Sequence, residues 1–300
     1  MAFSFRPRVG IDHAFVQFGE WLETRGRFAE RTRVEYRDDV AHLVEFLTAS
    51  CHLTAIAAVE RGHLVRYMDA LTTAGQAANT RRRVVAAVRL FFRALAQEGV
   101  LPRSPAQLLL PPPREDRPPR ILTQDEYERL RVGAEDRRAA ALIELVLQTG
   151  LSLSEIARLM RNDVTLPLPA TMPAVGSVRV AGRNHRSRAV TLNTRACTAL
   201  QGYLNEREDM GDAHLFLTKN SSGLGRRSVE TIITKACKAA GLRGISVRTL
   251  RHTFAAHSLA KGTSVETMQR SLGLASPTGV EGYVEAARAL MDEQLQRNAL

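Results

Sequence analysis

Four arginines, Arg179, Arg183, Arg186 and Arg188, lie close together where apolar and polar residues alternate. A turn bearing four guanidinium groups suits a DNA groove, because each planar fork can bind paired phosphate oxygens or the edge of a base. A second set, Arg81, Arg82 and Arg83, follows Asn79 and Thr80 at the expected start of a helix and is placed to contact a phosphate backbone. All but four of the 42 basic residues are arginine, the exceptions being Lys219, Lys235, Lys238 and Lys261. Against 31 acidic residues they leave a formal charge of +11, which favours a polyanionic partner. The competing reading is a solvated charged face in a protein that is merely rich in arginine.

Other chemistries are poorly supplied. Cys51, Cys197 and Cys237 are odd in number, far apart and without CxxC spacing, so they predict core residues rather than disulfides or a zinc site. His185 has no partner ligands around it, and no metal site is expected. No apolar run approaches the roughly 18 residues that a bilayer requires. The N-terminal stretch MAFSFRPRVGIDHAF resembles neither a signal nor a transit peptide, which leaves the cytoplasm as the expected compartment and no membrane as partner.

The elements that must carry these arginines are mostly helical. Phe15, Phe18, Trp21 and Leu22 recur at helical spacing, as do Val40, Leu43, Val44 and Leu47. A third helix is expected from about Arg61, and a fourth after Asn79 and Thr80 with Val84, Val88, Phe91, Phe92 and Leu95 as its stripe. This bundle ends at Gly99, and the prolines of PPPREDRPPR predict an extended connector. The expected domains are therefore 1–112 and 113–300, joined by a linker at about 111–120. Limited proteolysis tests this division. The first cut is expected between Arg114 and Arg120, and a first cut inside either half with the connector protected would move the boundary.

Beyond the connector, Thr123 with Asp125 and Glu126 reads as a helix cap, and AALIELVLQTG as an apolar helix stopped by Gly150. Between about Ala174 and Leu192 the pattern changes to the two-residue alternation of a β-hairpin. Helices are expected to resume at Thr194, at Ser228 and from Thr249, with breaks at Gly262, Gly273 and Pro277.

Four local patterns in the second half occur in the order in which tyrosine recombinases (the phage integrase family) carry them. Thr149-Gly150-Leu151, Ser154-Glu155-Ile156 and Asn162-Asp163-Val164 together resemble the stretch around the family's first catalytic arginine. Gly182-Arg183 through Arg188-Ala189-Val190-Thr191-Leu192 is similar to the hairpin that carries the catalytic lysine. Thr249-Leu250-Arg251-His252-Thr253-Phe254-Ala255 resembles the second arginine box, and Leu272-Gly273-Leu274 followed by Tyr283 has the spacing to the nucleophile. The resemblance covers roughly residues 12 to 290.

It implies a mainly α fold with a small β-sheet: an N-terminal helical, SAM-like core-binding bundle and a C-terminal mixed α/β catalytic domain. It also implies a protein that clamps double-stranded DNA, assembles as a homo-oligomer on it and uses no cofactor. The family's tyrosine attacks a phosphodiester to give a 3′-phosphotyrosyl bond and a free 5′-hydroxyl. Arginines stabilise the charge of the transition state, while a lysine and histidines move protons.

Carried over position by position, Tyr283 fits the nucleophile and Arg251 the second arginine, with His252 beside it. The other positions depart from the pattern. Ser152 stands where the first arginine belongs, Arg183 in place of the lysine, Arg248 in place of a histidine or lysine, and Leu274 in place of a histidine. Loss of a single oxyanion donor typically costs about 100- to 1000-fold in rate. Arg248 and Arg158 are candidates to replace the missing guanidinium. The resemblance thus predicts a DNA-binding protein of degenerate catalytic power with a regulatory, architectural or accessory role in recombination. An active site-specific recombinase acting through Tyr283 is the alternative. A further alternative reads LSLSEIARLMRNDV as the helix-turn-helix of a transcription regulator.

Overall fold

The computed structural model describes residues 9–25, 27–113, 118–167, 175–182, 187–207 and 211–298. The chain divides into two compact units, Met1–Asp116 and Arg117–Leu300.

The first unit contains α1 (Ile11–Thr24), α2 (Glu30–Ala49), α3 (Arg61–Thr73) and α4 (Ala78–Gln97). Helical periodicity gathers Phe18 and Leu22, then Val40, Leu43 and Leu47, then Leu64, then Val84, Val88, Phe91, Phe92 and Leu95 into one buried core. Phe91 meets Phe18 edge-on at 5.2 Å and lies 4.9 Å from Phe92, which ties α1 to α4. Helix α4 starts ahead of the Asn79-Thr80 pair expected to precede it. Ala77 occupies the cap position without a side-chain hydrogen bond, so both polar residues fall inside the first turn. The chain does not leave this unit at Gly99, because Leu101, Ala106 and Leu109 return to the same core.

In the second unit, Thr123 and Glu126 exchange hydrogen bonds at the start of α5 (Gln124–Val132), which satisfies two otherwise unpaired backbone donors. The apolar α6 (Arg137–Thr149) ends at Gly150, whose φ of 62° favours glycine. A Cβ there would also come within 2.8 Å of Leu272. After the single turn α7 (Leu153–Ile156), strands β1 (Val164–Thr165), β2 (Gly176–Ala181) and β3 (Ser187–Leu192) form an antiparallel sheet in that order. Val178 pairs with both Val164 and Val190, and alternation sends Val178, Val180, Val190 and Leu192 to the core. The two-residue β1 was not expected, since it is too short to show a period. Helices α8 (Thr194–Glu206), α9 (Arg226–Ala239), α10 (Val247–Ala260), α11 (Val265–Leu272) and α12 (Thr278–Asn298) complete the unit.

The fold is therefore mainly helical with one small antiparallel sheet. The segment read as a possible helix-turn-helix is not one: α7 has four residues and the chain continues through a 3-10 turn at Arg161–Asp163 into β1. Among the described residues no helix is long and apolar enough to cross a membrane.

Candidate active site and nucleic-acid interface

Ser246 caps α10 by accepting a hydrogen bond from the Thr249 N–H, which fixes the start of the helix that carries Arg248, Arg251 and His252. Arg251 is largely buried. Its Nη1 donates to the Gly150 carbonyl at 2.7 Å and its Nη2 to the Leu272 carbonyl at 2.7 Å. Both carbonyls lie at helix C-termini, of α6 and α11, where unpaired acceptors and the helix dipole favour a cation. Glu155 supplies the counter-charge at 3.6 Å. Burial disfavours the Arg251 charge, while Glu155 and Tyr283 offset part of that effect.

Glu155 sits three residues beyond Ser152, the spacing of a capping box. The backbone N–H and the hydroxyl of Ser152 both donate to Glu155 Oε2 at 2.7 Å. The other carboxylate oxygen accepts from Arg188 Nη1 at 2.6 Å. Burial opposes ionisation of Glu155, but the bonds from Arg188 and Ser152 outweigh it and hold the carboxyl below its usual range. The Ser152 hydroxyl is thus engaged within the protein.

Arg188 has a different place from the one its position in a basic hairpin suggested. Alternation along β3 puts it on the same face as Val190 and Leu192, toward the core. Its side chain is 15% exposed, donates from Nε to the Ser271 carbonyl at 2.7 Å, and approaches the turn so closely that a Cβ at Gly273 would lie 2.8 Å from Nη1. Arg179, on the opposite face, is 67% exposed and 4.0 Å from Asp163. Arg183 and Arg186 lie outside the described residues, as does His185.

Tyr283, from α12, packs its ring 5.3 Å from His252. His252 in turn accepts a hydrogen bond from the exposed Arg248 at 3.4 Å. Burial lowers the His252 ring to about 4, aided by Arg248, so at neutral pH it is an uncharged hydrogen-bonding group. Leu274 packs with the cluster that includes Leu272, Met268 and Val280 and offers no polar side-chain atom. Arg158 turns back along the surface, donating from Nε to the Ser154 carbonyl at 3.0 Å. The fold therefore links Arg248, His252, Tyr283, Arg251, Glu155, Arg188 and Ser152 through successive contacts. Sequence reasoning missed Glu155 as the centre of this network, although the Ser-x-x-Glu spacing was visible. Among the described residues no three His, Cys, Asp or Glu side chains cluster as a metal site would need.

In the first unit each arginine of the basic triplet has an internal partner. Arg81 donates to Thr72 Oγ1 at 2.7 Å, Arg82 donates to the Pro112 carbonyl, and Arg83 pairs with Asp39 at 3.0 Å.

Fold and site define a two-unit helical protein that sets a tyrosine beside a buried arginine held at two helix ends. Residues 120–289 match the phage integrase family and residues 15–99 match the phage integrase N-terminal SAM-like domain. The chain belongs to this family, the tyrosine recombinases. It is 33% identical to the tyrosine recombinase XerC of Pelobacter propionicus over 277 residues, covering 89% of this chain and 88% of that protein. It is 26% identical to the tyrosine recombinase XerD of Listeria innocua, covering 84% and 87%. Among solved structures, the XerH site-specific recombinase bound to a palindromic difH substrate superposes with a TM-score of 0.76 at 17% identity, covering 94% of this chain and 84% of that one. A lambda integrase dimer bound to a COC′ core site gives 0.73 at 17% identity, covering 92% and 95%. These distant structures share the fold.

Proposed function

We propose that the protein binds duplex DNA as a tyrosine recombinase and cleaves it poorly on its own, serving recombination as an accessory or architectural member. The observation that carries this reading is the capture of the Ser152 hydroxyl and N–H by Glu155, at the position where the family places a phosphate-binding arginine. The net charge of the Arg251, Arg188 and Glu155 group is only +1, and Leu274 adds no donor. A tyrosine attacking a phosphodiester there would build negative charge on the non-bridging oxygens with much of its usual stabilisation removed.

A second reading is favoured by the position of Tyr283 beside Arg251 and His252. In it the tyrosine oxygen attacks the phosphorus, the 5′-oxygen leaves as a hydroxyl, and Arg248 supplies the missing charge. Incubating the protein with a recombinase site nicked so as to trap phosphotyrosyl adducts separates the two. Little or no covalent species is expected, and rapid accumulation at Tyr283 would establish the second reading instead.

DNA binding is testable independently. With +11 formal charge and several phosphate contacts, affinity for duplex DNA is expected to fall at least about 100-fold between about 50 mM and about 200 mM salt. Affinity that stays level over this range would rule out backbone-dominated binding. The lambda integrase dimer bound to a COC′ core site supports assembly of more than one protomer on a site.

A further inference from the structure

A buried carboxylate meets Arg83, the last arginine of the basic triplet near the start of α4. Asp39, on α2, has a side chain only 7% exposed, and its Oδ2 is 3.0 Å from Arg83 Nη1 yet accepts no hydrogen bond. Arg83 Nη1 also donates to the Glu35 carbonyl at 3.3 Å and lies 4.0 Å from the Glu35 carboxylate. Glu35 in turn accepts from Arg31 Nε at 2.8 Å. Asp38 and His42 on α2 and Tyr67 on α3 complete the ionisable surroundings of Asp39.

We propose that Asp39 restrains Arg83, and that neutralising this one carboxylate makes a positive charge near the start of α4 available to duplex DNA. The inference rests on the DNA-binding reading above and concerns its regulation. With Asp39 ionised, the group Arg31, Glu35, Asp39 and Arg83 carries no net charge; with Asp39 neutral, it carries one positive charge. Glu35 keeps its weaker contacts with Arg83, but the hydrogen bond from Arg31 holds its carboxyl below the usual range, so it stays ionised throughout and adds no pH dependence of its own.

Burial raises the Asp39 carboxyl to about 6 against the opposing pull of Arg83 and His42. The protonated form is therefore the one the fold favours. The stability it confers is complete below the ordinary carboxylate range and is lost as pH rises through about 6. Proton uptake at this site consequently falls between about pH 7 and pH 5.

The test measures affinity of the full chain for a fluorescently labelled random-sequence duplex at fixed salt, from pH 7.5 to pH 5.5. One additional phosphate contact is expected to strengthen binding by about 3- to 10-fold as pH falls and to steepen the salt slope by about one. Asp39→Asn should bind at pH 7.5 as tightly as the unmodified protein does at pH 5.5, and lose most of the pH response. Adding Arg83→Gln to it should remove the gain. His42 is present in all three proteins, so differences among them isolate Asp39. Equal affinities and equal pH profiles for the unmodified and Asp39→Asn proteins, with both binding DNA, would overturn the restraint alone. Absence of binding by the unmodified protein at every pH would overturn the DNA reading and the restraint with it.

Discussion

Arg251→Ala is expected to lower the stability of the second unit by about 3 to 5 kcal/mol, one of the largest effects of any single change in this protein. The guanidinium closes two helix ends at once, through the Gly150 and Leu272 carbonyls, and balances a buried carboxylate. Alanine would leave two acceptors unsatisfied at about 1 to 3 kcal/mol each and leave Glu155 with Arg188 as its remaining close counter-charge. Arg251→Lys should recover part of the loss, because an ammonium can hold the charge but cannot span both carbonyls with a rigid fork. Denaturant unfolding followed in the full chain, with the two units resolved as separate transitions, reads this directly. A change below about 1 kcal/mol would mean that the two carbonyls find other donors and that Arg251 does not brace the two helix ends.

The second large effect concerns strand cleavage. Ser152→Arg is expected to raise the rate of phosphotyrosyl adduct formation on a nicked trapping substrate by about 100- to 1000-fold, the range associated with one oxyanion donor. The gain should stop short of a complete site, since the proposed reading also counts Arg183 and Leu274 as departures and such groups act non-additively. Tyr283→Phe should abolish adduct formation in both backgrounds while changing DNA affinity by less than about twofold, because the change removes one hydroxyl and no charge. If the unmodified protein already forms the adduct as fast as Ser152→Arg, impaired cleavage is wrong and Arg248 becomes the residue to substitute next.

Much of the architecture was legible because local physics is written locally. Thr123 and Glu126 stand at capping-box spacing, Gly150 ends α6 where a left-handed residue is needed, and the alternation of β2 and β3 marks a hairpin wherever it is read. The four family-like patterns were recognisable from residue order, and the family they pointed to is the one the chain belongs to. Some misses were also locally encoded. The two-residue period of β3 fixes Arg188 on the side of Val190, so a strict reading of the strand would have separated it from Arg179.

What the sequence by itself determined is the family, the mainly helical class and the hairpin of β2 and β3. Only the tertiary structure decided which charges those groups meet. Arg251 and Glu155 lie on distant elements of the second unit, and Arg83 and Asp39 belong to different helices, so no periodicity links them. The physical reason is that hydrogen bonding and burial over a few residues select the element, whereas the environment of a charge depends on elements brought together by burial of apolar surface elsewhere. Three adjacent arginines on one helix turn look alike in sequence, yet they face a hydroxyl, a carbonyl and a buried carboxylate, and only the last of these can change its charge.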